Sequence, residues 1–220
     1  MANIALEYEG ASDRDGLSRN ALSPSADLRF TAFEGFDIVA FGRRAYRIPT
    51  FNELYYVGYG NPELKPEDVW MTDLGLDFAR KTGTHLSVSA DLDLFCNWLT
   101  DKITSAPSED DPNIWRPYNI GKVLSAGCDA AAGFRYAGKK WVFAAEGQYT
   151  FQSATARTAS SESFGRQIPY IARQMAFVRL DFTWKGWTLN PCWQWRGGRS
   201  DGYGELPAWN TLDVELSKGF

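Results

Sequence analysis

The sequence lacks any long apolar run. No stretch in its 220 residues approaches the roughly 18 consecutive apolar residues that a membrane-spanning helix requires. This absence excludes a helical membrane protein. It does not exclude a membrane protein built of strands, because lipid-facing apolar residues then occupy only every second position. A single domain is the simplest organisation for a chain of this length.

Histidine, cysteine and net positive charge are also scarce. Three widely spaced cysteines without a CxxC pair predict neither a disulfide framework nor a zinc site. The formal net charge of -4 offers no basic face for phosphate groups, so we expect no nucleic-acid partner. His85, the one histidine, follows a turn-like segment, which favours a turn or interface role over that of a catalytic base. We therefore expect no enzyme, with an outer-membrane phospholipase as the enzymatic alternative.

Alternation with a period of two is the main pattern that the sequence does contain. Apolar and polar side chains alternate through residues 85–97, 141–150 and 176–184. Phe, Tyr and Trp make up 15% of the chain, which suits the aromatic girdles of a membrane β-barrel. The alternative is a soluble, carbohydrate-binding β-sandwich, which would bury the face bearing Val178, Leu180 and Phe182 in a dry core. A membrane barrel would turn that face towards lipid.

The pattern predicts ten strands whose connections alternate between short and long. The strands are predicted at residues 3–9, 22–33, 36–46, 69–81, 85–105, 118–137, 140–153, 172–185, 187–197 and 208–218. Tight hairpin turns are predicted within residues 34–35, 136–140 and 184–187, where Gly supplies the positive φ that such turns favour. The long polar connections are residues 10–20, 50–68, 106–113, 153–171 and 197–206. This asymmetry is typical of a barrel with tight periplasmic turns and extended outer loops.

One segment, residues 47–67, breaks the alternation with a loop rich in Pro and Gly, RIPTFNELYYVGYGNPELKPE. It resembles a signature of TonB-dependent outer-membrane receptors at Arg47, Pro49, Thr50, Glu53, Leu54, Tyr55, Gly60, Asn61, Pro62, Leu64, Lys65, Pro66 and Glu67. The similarity continues through residues 119–127, 165–173 and 206–213. It therefore covers most of the chain, and it is greatest to the cobalamin and siderophore receptors.

The resemblance implies an all-β fold, an antiparallel transmembrane β-barrel segment of ten strands with short periplasmic turns and long outer loops. The whole receptor would lie in the lipid of a Gram-negative outer membrane. It would import a scarce solute such as a cobalamin or an iron–siderophore complex, with energy from the TonB system acting through a plug domain. Residues 1–220 are expected to be a partial barrel domain, because the plug, the TonB box, the last strands and an export signal have no counterpart in them.

Two loop regions are candidate binding sites. Tyr55, Tyr56 and Tyr59 are predicted to be exposed and could stack on an aromatic or macrocyclic solute, although an interfacial aromatic belt would use the same residues. A second loop gathers three carboxylates that could hold calcium, the only cofactor considered, in Glu109, Asp110 and Asp111. Because this loop lacks EF-hand spacing, a solvated acidic loop is the alternative.

The signature itself is predicted to be mainly structural. Pro restricts the backbone of the loop, and the charges of Lys65 and Glu67 are predicted to pin its base to the barrel rim.

A self-contained ten-stranded barrel acting as a passive pore or adhesin is the alternative function. Ten is an even number, as closure of a small barrel requires. Closure would also require residues 3–9 to pair with residues 210–218, because unpaired strand edges in lipid are prohibitively costly. The order of the strands therefore distinguishes a closed barrel from part of a larger one.

Overall fold

The computed structural model describes residues 1–12, 18–108, 111, 113–159 and 163–219. Nearly all of its regular structure is β-strand. In chain order the elements are β1 Ala2–Ser12, β2 Ser18–Phe33, β3 Phe36–Arg47, α1 Phe51–Tyr55, β4 Glu67–Thr82, β5 Leu86–Thr100, β6 Ile103–Pro107, β7 Trp115–Asn119, β8 Val123–Ala137, β9 Trp141–Ala156, β10 Gln174–Trp184, β11 Trp187–Arg196, β12 Arg199–Ser200, β13 Glu205–Leu206 and β14 Trp209–Lys218. No helix in these described ranges is long and apolar enough to cross a membrane.

Ten of the strands form one sheet, in the order β1-β2-β3-β4-β5-β8-β9-β10-β11-β14. Every pair of neighbours is antiparallel, so the chain runs up and down across the sheet. The ten predicted strands are confirmed, with shifts at their ends. The remaining strands form two small hairpins, β6–β7 and β12–β13.

Two strands are shorter than the alternation predicted. β5 ends at Thr100 rather than at residue 105, and β8 begins at Val123 rather than at residue 118. Asp101 and Gly121 have φ angles of 54° and 78°, in the left-handed region, and this backbone conformation ends the pairing of the two strands. The residues between them pair with each other instead, and they form the β6–β7 hairpin.

Short and long connections alternate, as predicted. At one end of the sheet, residues 34–35, 83–85, 138–140 and 185–186 join successive strands, and we call this the short-turn end. Gly35 and Gly186 have φ angles of 83° and 79°, as tight hairpins favour. At the opposite, long-loop end the connections are residues 48–66, 101–122, 157–173 and 197–208. β1 and β2 pair as far as Ser12 and Ser18, so the predicted connection 10–20 shortens to residues 13–17, outside the described part.

One face of the sheet is apolar and uncovered. On β10, Val178 and Phe182 keep 38% and 41% of their surface exposed, and Leu180 lies between them on the same face. The two buried hydrophobic clusters of the described residues lie at the long-loop end, not against this face. The soluble sandwich, which required these side chains to lie in a dry core, is therefore wrong.

The total exposed area supports the same conclusion. The chain exposes 14606 Å². A folded soluble monomer of this mass exposes about 10,000 Å². A sheet with one uncovered apolar face accounts for the excess. An apolar surface of this extent indicates contact with a membrane or a protein rather than with water.

The other face of the sheet is polar, and two of its arginines pair with nearby aspartates. Arg29 Nη1 donates to Asp37 Oδ2 at 2.8 Å, and Arg179 Nη2 donates to Asp181 Oδ1 at 3.1 Å. Both arginine side chains are about half exposed, at 53% and 51%. Exposed pairs of this kind contribute little to stability, because water and salt screen them. This face is therefore a polar, solvent-exposed wall.

The sheet does not close on itself within the described residues. β1 is paired with β2, β14 is paired with β11, and these two strands stand at opposite ends of the order. The pairing of residues 3–9 with 210–218, which a self-contained barrel requires, is not formed. The closed ten-stranded barrel is therefore wrong.

Candidate functional site

The signature segment folds around a one-turn helix, α1, at the long-loop end. Thr50 Oγ1 accepts a hydrogen bond from the Glu53 N–H at 3.3 Å, and Glu53 Oε2 accepts one from the Thr50 N–H at 2.7 Å. This reciprocal pair is a capping box. We did not predict the helix, because Pro and Gly dominated our interpretation of the segment. The available signal was a Thr followed three residues later by a Glu.

Arg47 ties this helix to the strand on the far side of the loop. Its Nη1 donates to Glu53 Oε2 at 3.0 Å, and its Nε donates to Glu67 Oε2 at 2.7 Å. The other oxygen of Glu67 accepts a hydrogen bond from the Ile103 N–H at 2.7 Å. We call this set of contacts the Arg47 clamp. It gives Glu67 the anchoring position that we predicted.

The Glu53 carboxylate makes part of the loop sensitive to acid. Burial raises the pKa of Glu53, but hydrogen bonds from Arg47 and Thr50 outweigh burial, so this pKa lies below its usual range. A carboxylate with a depressed folded-state pKa contributes stability above its ordinary pKa, and loses it as pH falls through the folded-state value.

We therefore expect the free energy of unfolding to decrease as pH drops below about 4.3, the ordinary pKa of glutamate. In the Glu53→Gln variant this decrease should be smaller, because one titrating group is removed. Equilibrium unfolding measured over a pH series tests this. Glu63→Gln is the matched control, since Glu63 is exposed and forms no ion pair in the described part of the chain. An equal effect of both substitutions would contradict the assignment.

Two asparagines fasten the loop to the β6–β7 hairpin. Asn61 Nδ2 donates to the Pro117 carbonyl at 3.1 Å. Asn119 Nδ2 donates to the Lys65 carbonyl, and the Lys65 N–H donates to Asn119 Oδ1, each at 2.9 Å. Lys65 thus anchors the loop through its backbone. Our prediction that its charge does so is wrong, because its ammonium forms no ion pair with a described residue.

Apolar packing completes the anchoring. Leu54, Leu64 and Ile103 form a buried cluster in which each keeps 8% or less of its surface exposed. Gly60 packs so closely on α1 that a Cβ there would lie 2.7 Å from the Leu54 carbonyl oxygen, which only glycine avoids. These contacts give the signature a structural role at the rim of the sheet.

The three signature tyrosines lie in different environments. Tyr55 is half-buried against the Leu54 cluster, and the Tyr59 hydroxyl lies 2.7 Å from Ser105 Oγ. Tyr56 alone is widely exposed, at 61%. The expectation that all three are exposed is wrong, because two of them pack against the loop base. Solute contact by Tyr56 stays a prediction.

The predicted calcium loop is described only in part. Glu109 and Asp110 lie outside the described residues. Asp111 Oδ1 accepts a hydrogen bond from the Asn113 N–H at 2.9 Å, and its carbonyl accepts one from the Ile114 N–H at 3.0 Å. These bonds close a turn. Among the side chains that the structure describes, no group of three His, Cys, Asp or Glu residues could hold a metal ion, and calcium here stays a prediction.

The long connections enclose a cavity of about 360 Å³ between the β6–β7 hairpin, the β9–β10 connection and the β11–β14 connection. Polar groups at its wall include Arg166, Gln167 and Asp201. It also has four aromatic side chains, Trp115, Tyr118, Tyr170 and Tyr203. We did not predict this aromatic set, because its members come from three connections that only the fold brings together. An aromatic residue in each long connection was the available signal.

Hydrogen bonds between the connections hold the cavity wall. The Tyr170 N–H donates to the Ser200 carbonyl at 2.7 Å and so joins two of them. Asp201 Oδ1 accepts hydrogen bonds from the backbone N–H groups of Tyr203 and Gly204, at 2.8 and 2.7 Å. These bonds hold the pKa of Asp201 below its usual range, so it is charged at neutral pH. Burial raises the pKa of Tyr118, so its hydroxyl stays protonated at neutral pH.

Comparison with known proteins places the chain in a family. The family model described as "TonB dependent receptor-like, beta-barrel" matches residues 2–220. The chain belongs to this family. The sheet of this receptor barrel chain is therefore barrel wall, and the expected fold, an antiparallel transmembrane β-barrel segment, is confirmed.

Relatives of this receptor barrel chain are transporters and receptors by name. It is 32% identical over 96 residues to the vitamin B12 transporter BtuB of Photobacterium profundum, covering 40% of this chain and 14% of that protein. To BtuB of Vibrio vulnificus it is 30% identical over 114 residues, covering 51% and 16%.

A solved structure confirms the fold alone. The siderophore receptor PirA from Acinetobacter baumannii superposes with a TM-score of 0.67 at 14% identity, covering all of this chain and 37% of that one. The receptor barrel chain thus spans well under half the length of the relatives it matches.

Proposed function

We propose that this chain forms the wall and outer loops of an outer-membrane receptor of a Gram-negative bacterium. The receptor takes up a scarce solute such as a cobalamin or an iron–siderophore complex. The observation that carries the proposal is the combination of an uncovered apolar sheet face with an aromatic cavity among the connections of the long-loop end. Membership of the receptor barrel family and similarity to vitamin B12 transporters support it.

In this proposal the apolar face contacts lipid and the polar face lines the path of the solute. Outer loops capture the solute, and a plug domain pulled by the TonB system releases it. The residues of this chain supply a wall of ten strands, each hydrogen-bonded to its neighbours. They also supply the loops, which the Arg47 clamp fastens to the rim.

The cavity limits what part of the solute it can hold. Its volume of about 360 Å³ is at the small end of the about 300–1,000 Å³ usual for ligand sites. One planar portion of a large solute therefore fits, with the rest outside. Trp115 and Tyr118, which are 45% and 41% exposed, are placed to stack on such a portion.

Replacing Trp115 or Tyr118 with alanine should weaken solute binding by about two- to tenfold, since an aromatic contact is worth about 0.5–1.5 kcal/mol. Titration of the full chain in detergent micelles with cyanocobalamin, and separately with a ferric catecholate, measures this. Tyr136→Ala is the matched control, because Tyr136 is exposed but lies at the short-turn end. Tyr56→Ala tests the remaining sequence prediction. If none of the loop variants weakens solute binding more than Tyr136→Ala does, the proposed site is wrong.

We propose no catalytic role for the chain. His85 lies at the short-turn end, where its Nδ1 is 2.8 Å from the Ala137 carbonyl oxygen. No serine hydroxyl among the described residues forms a hydrogen bond with it, as a phospholipase of the serine type would require. A lipase assay on the folded chain tests this, and hydrolysis that His85→Ala abolishes would contradict it.

A further inference from the structure

Three tryptophans stand in a row at the short-turn end. In the sheet register Trp141 of β9 lies opposite Trp184 of β10, which lies opposite Trp187 of β11. Residues directly opposite each other share a face of the sheet. This is the apolar face, since Trp184 alternates with Phe182 and Leu180 along β10. The three indoles, which we call the tryptophan row, are 40–46% exposed.

Lysines surround the tryptophan row. Lys185 Nζ lies 4.7 Å from the ring centroid of Trp184, and Lys218 Nζ lies 4.9 Å from that of Trp187. Lys139 and Lys140 occupy the adjacent β8–β9 turn and are exposed. Lys139, Lys140 and Lys185 form no ion pair with a described carboxylate. Lys139, Lys140 and Lys185 therefore place positive charge at this corner of the barrel wall, on a chain that is negative overall.

An apolar groove begins at the same place. Trp141, Phe182 and Trp184 line an open space of about 390 Å³ on the apolar face. The ring centroids of Trp141 and Phe182 lie 6.5 Å apart. The groove is thus continuous with the lipid-facing surface, and ammonium groups stand at its rim.

We propose that this corner binds one anionic phospholipid from the surrounding membrane. The phosphate lies against the ammonium groups of Lys139, Lys140 and Lys185, and an acyl chain lies along the groove. Tryptophan is enriched at headgroup level in membrane proteins, which places the row and the lysines at the depth of a phosphate. Positive charge there selects an anionic headgroup over a zwitterionic one. The inference goes beyond solute uptake, because it needs only a membrane around the barrel wall.

Native mass spectrometry tests the site. The folded chain is titrated in micelles with phosphatidylglycerol or with phosphatidylcholine and is then released from the micelles in the spectrometer. The wild-type chain should bind its first phosphatidylglycerol about fivefold or more tightly than its first phosphatidylcholine. The variant K139Q/K140Q/K185Q should lose this preference. The matched control is K65Q/K102Q/K122Q, which removes the same charge at the long-loop end and should keep the preference.

A second measurement does not depend on any variant folding. Raising the salt from about 0.1 to about 1 M shortens the screening length from about 10 to about 3 Å, and should lower the wild-type preference for phosphatidylglycerol. Equal affinity for both lipids, a preference insensitive to salt, or equal losses in the two triple variants would each overturn the proposal. Binding of neither lipid would also contradict the placement of the apolar face in a membrane, whereas loss of the preference alone leaves solute uptake untouched.

Discussion

Replacing Leu180 with arginine is expected to destabilise the chain in a bilayer by about 2–4 kcal/mol. Leu180 lies in the middle of β10 on the apolar face, opposite Ala145 and between Val178 and Phe182. A charge there would stand at mid-depth in lipid, far from either interface. The free energy of unfolding measured in phospholipid vesicles checks this value.

The matched control for this substitution lies on the neighbouring strand and the opposite face. Gln148→Arg on β9 places the same side chain on the hydrated face, where Gln148 Nε2 already donates to Glu146 Oε1 at 3.2 Å. An arginine in this position keeps a carboxylate partner and water. We expect this substitution to change the free energy of unfolding by no more than about 0.5 kcal/mol. Equal losses for the two variants would contradict the assignment of the apolar face to lipid.

Replacing Glu67 with alanine has the second large expected effect. It should lower the free energy of unfolding by about 2–3 kcal/mol. The Glu67 side chain is 11% exposed and accepts hydrogen bonds from Arg47 Nε and from the Ile103 N–H, both at 2.7 Å. Alanine leaves the Ile103 N–H without this acceptor. The Arg47 side chain is 41% exposed, so solvent screens its ion pair with Glu67, and losing that pair changes the free energy of unfolding little. Most of the expected decrease therefore comes from the buried Ile103 N–H.

Equilibrium unfolding and amide exchange at Ile103 measure this effect. Exchange at Ile103 should accelerate in Glu67→Ala, while Glu67→Gln should lose less, because its amide oxygen still accepts one hydrogen bond. Glu63→Ala is the control for removing a carboxylate from the same loop, since Glu63 is exposed. Protection of Ile103 that survives in Glu67→Ala would show that the clamp does not hold the β6–β7 hairpin.

The strands of the barrel wall could be predicted from the sequence because the information is local. Apolar residues at every second position and Gly in the tight turns placed all ten strands and the alternation of connection lengths. The predictions were wrong where backbone conformation broke a continuous pattern. Asp101, at a φ of 54°, ends β5 inside the strand predicted at residues 85–105.

The loop site was predicted less well, for a physical reason. The signature tyrosines were predicted together, but Tyr55 and Tyr59 serve the loop base. The cavity aromatics were missed because Tyr118 and Tyr203 belong to connections far apart in the chain. Proximity of this kind arises only after the sheet has set the order of the loops.

Sequence by itself therefore determined the strand-forming segments, the alternation of their faces and the resemblance to receptor barrels, all of which depend on residue type and short-range spacing. Tertiary structure decided which apolar face stays uncovered, that β1 and β14 do not pair, and how the loops are fastened. These features depend on contacts such as Glu67 with Ile103 and Asn61 with Pro117, which join residues 36 and 56 positions apart. Local spacing carries no information about such contacts, because they form only when the whole sheet is in register.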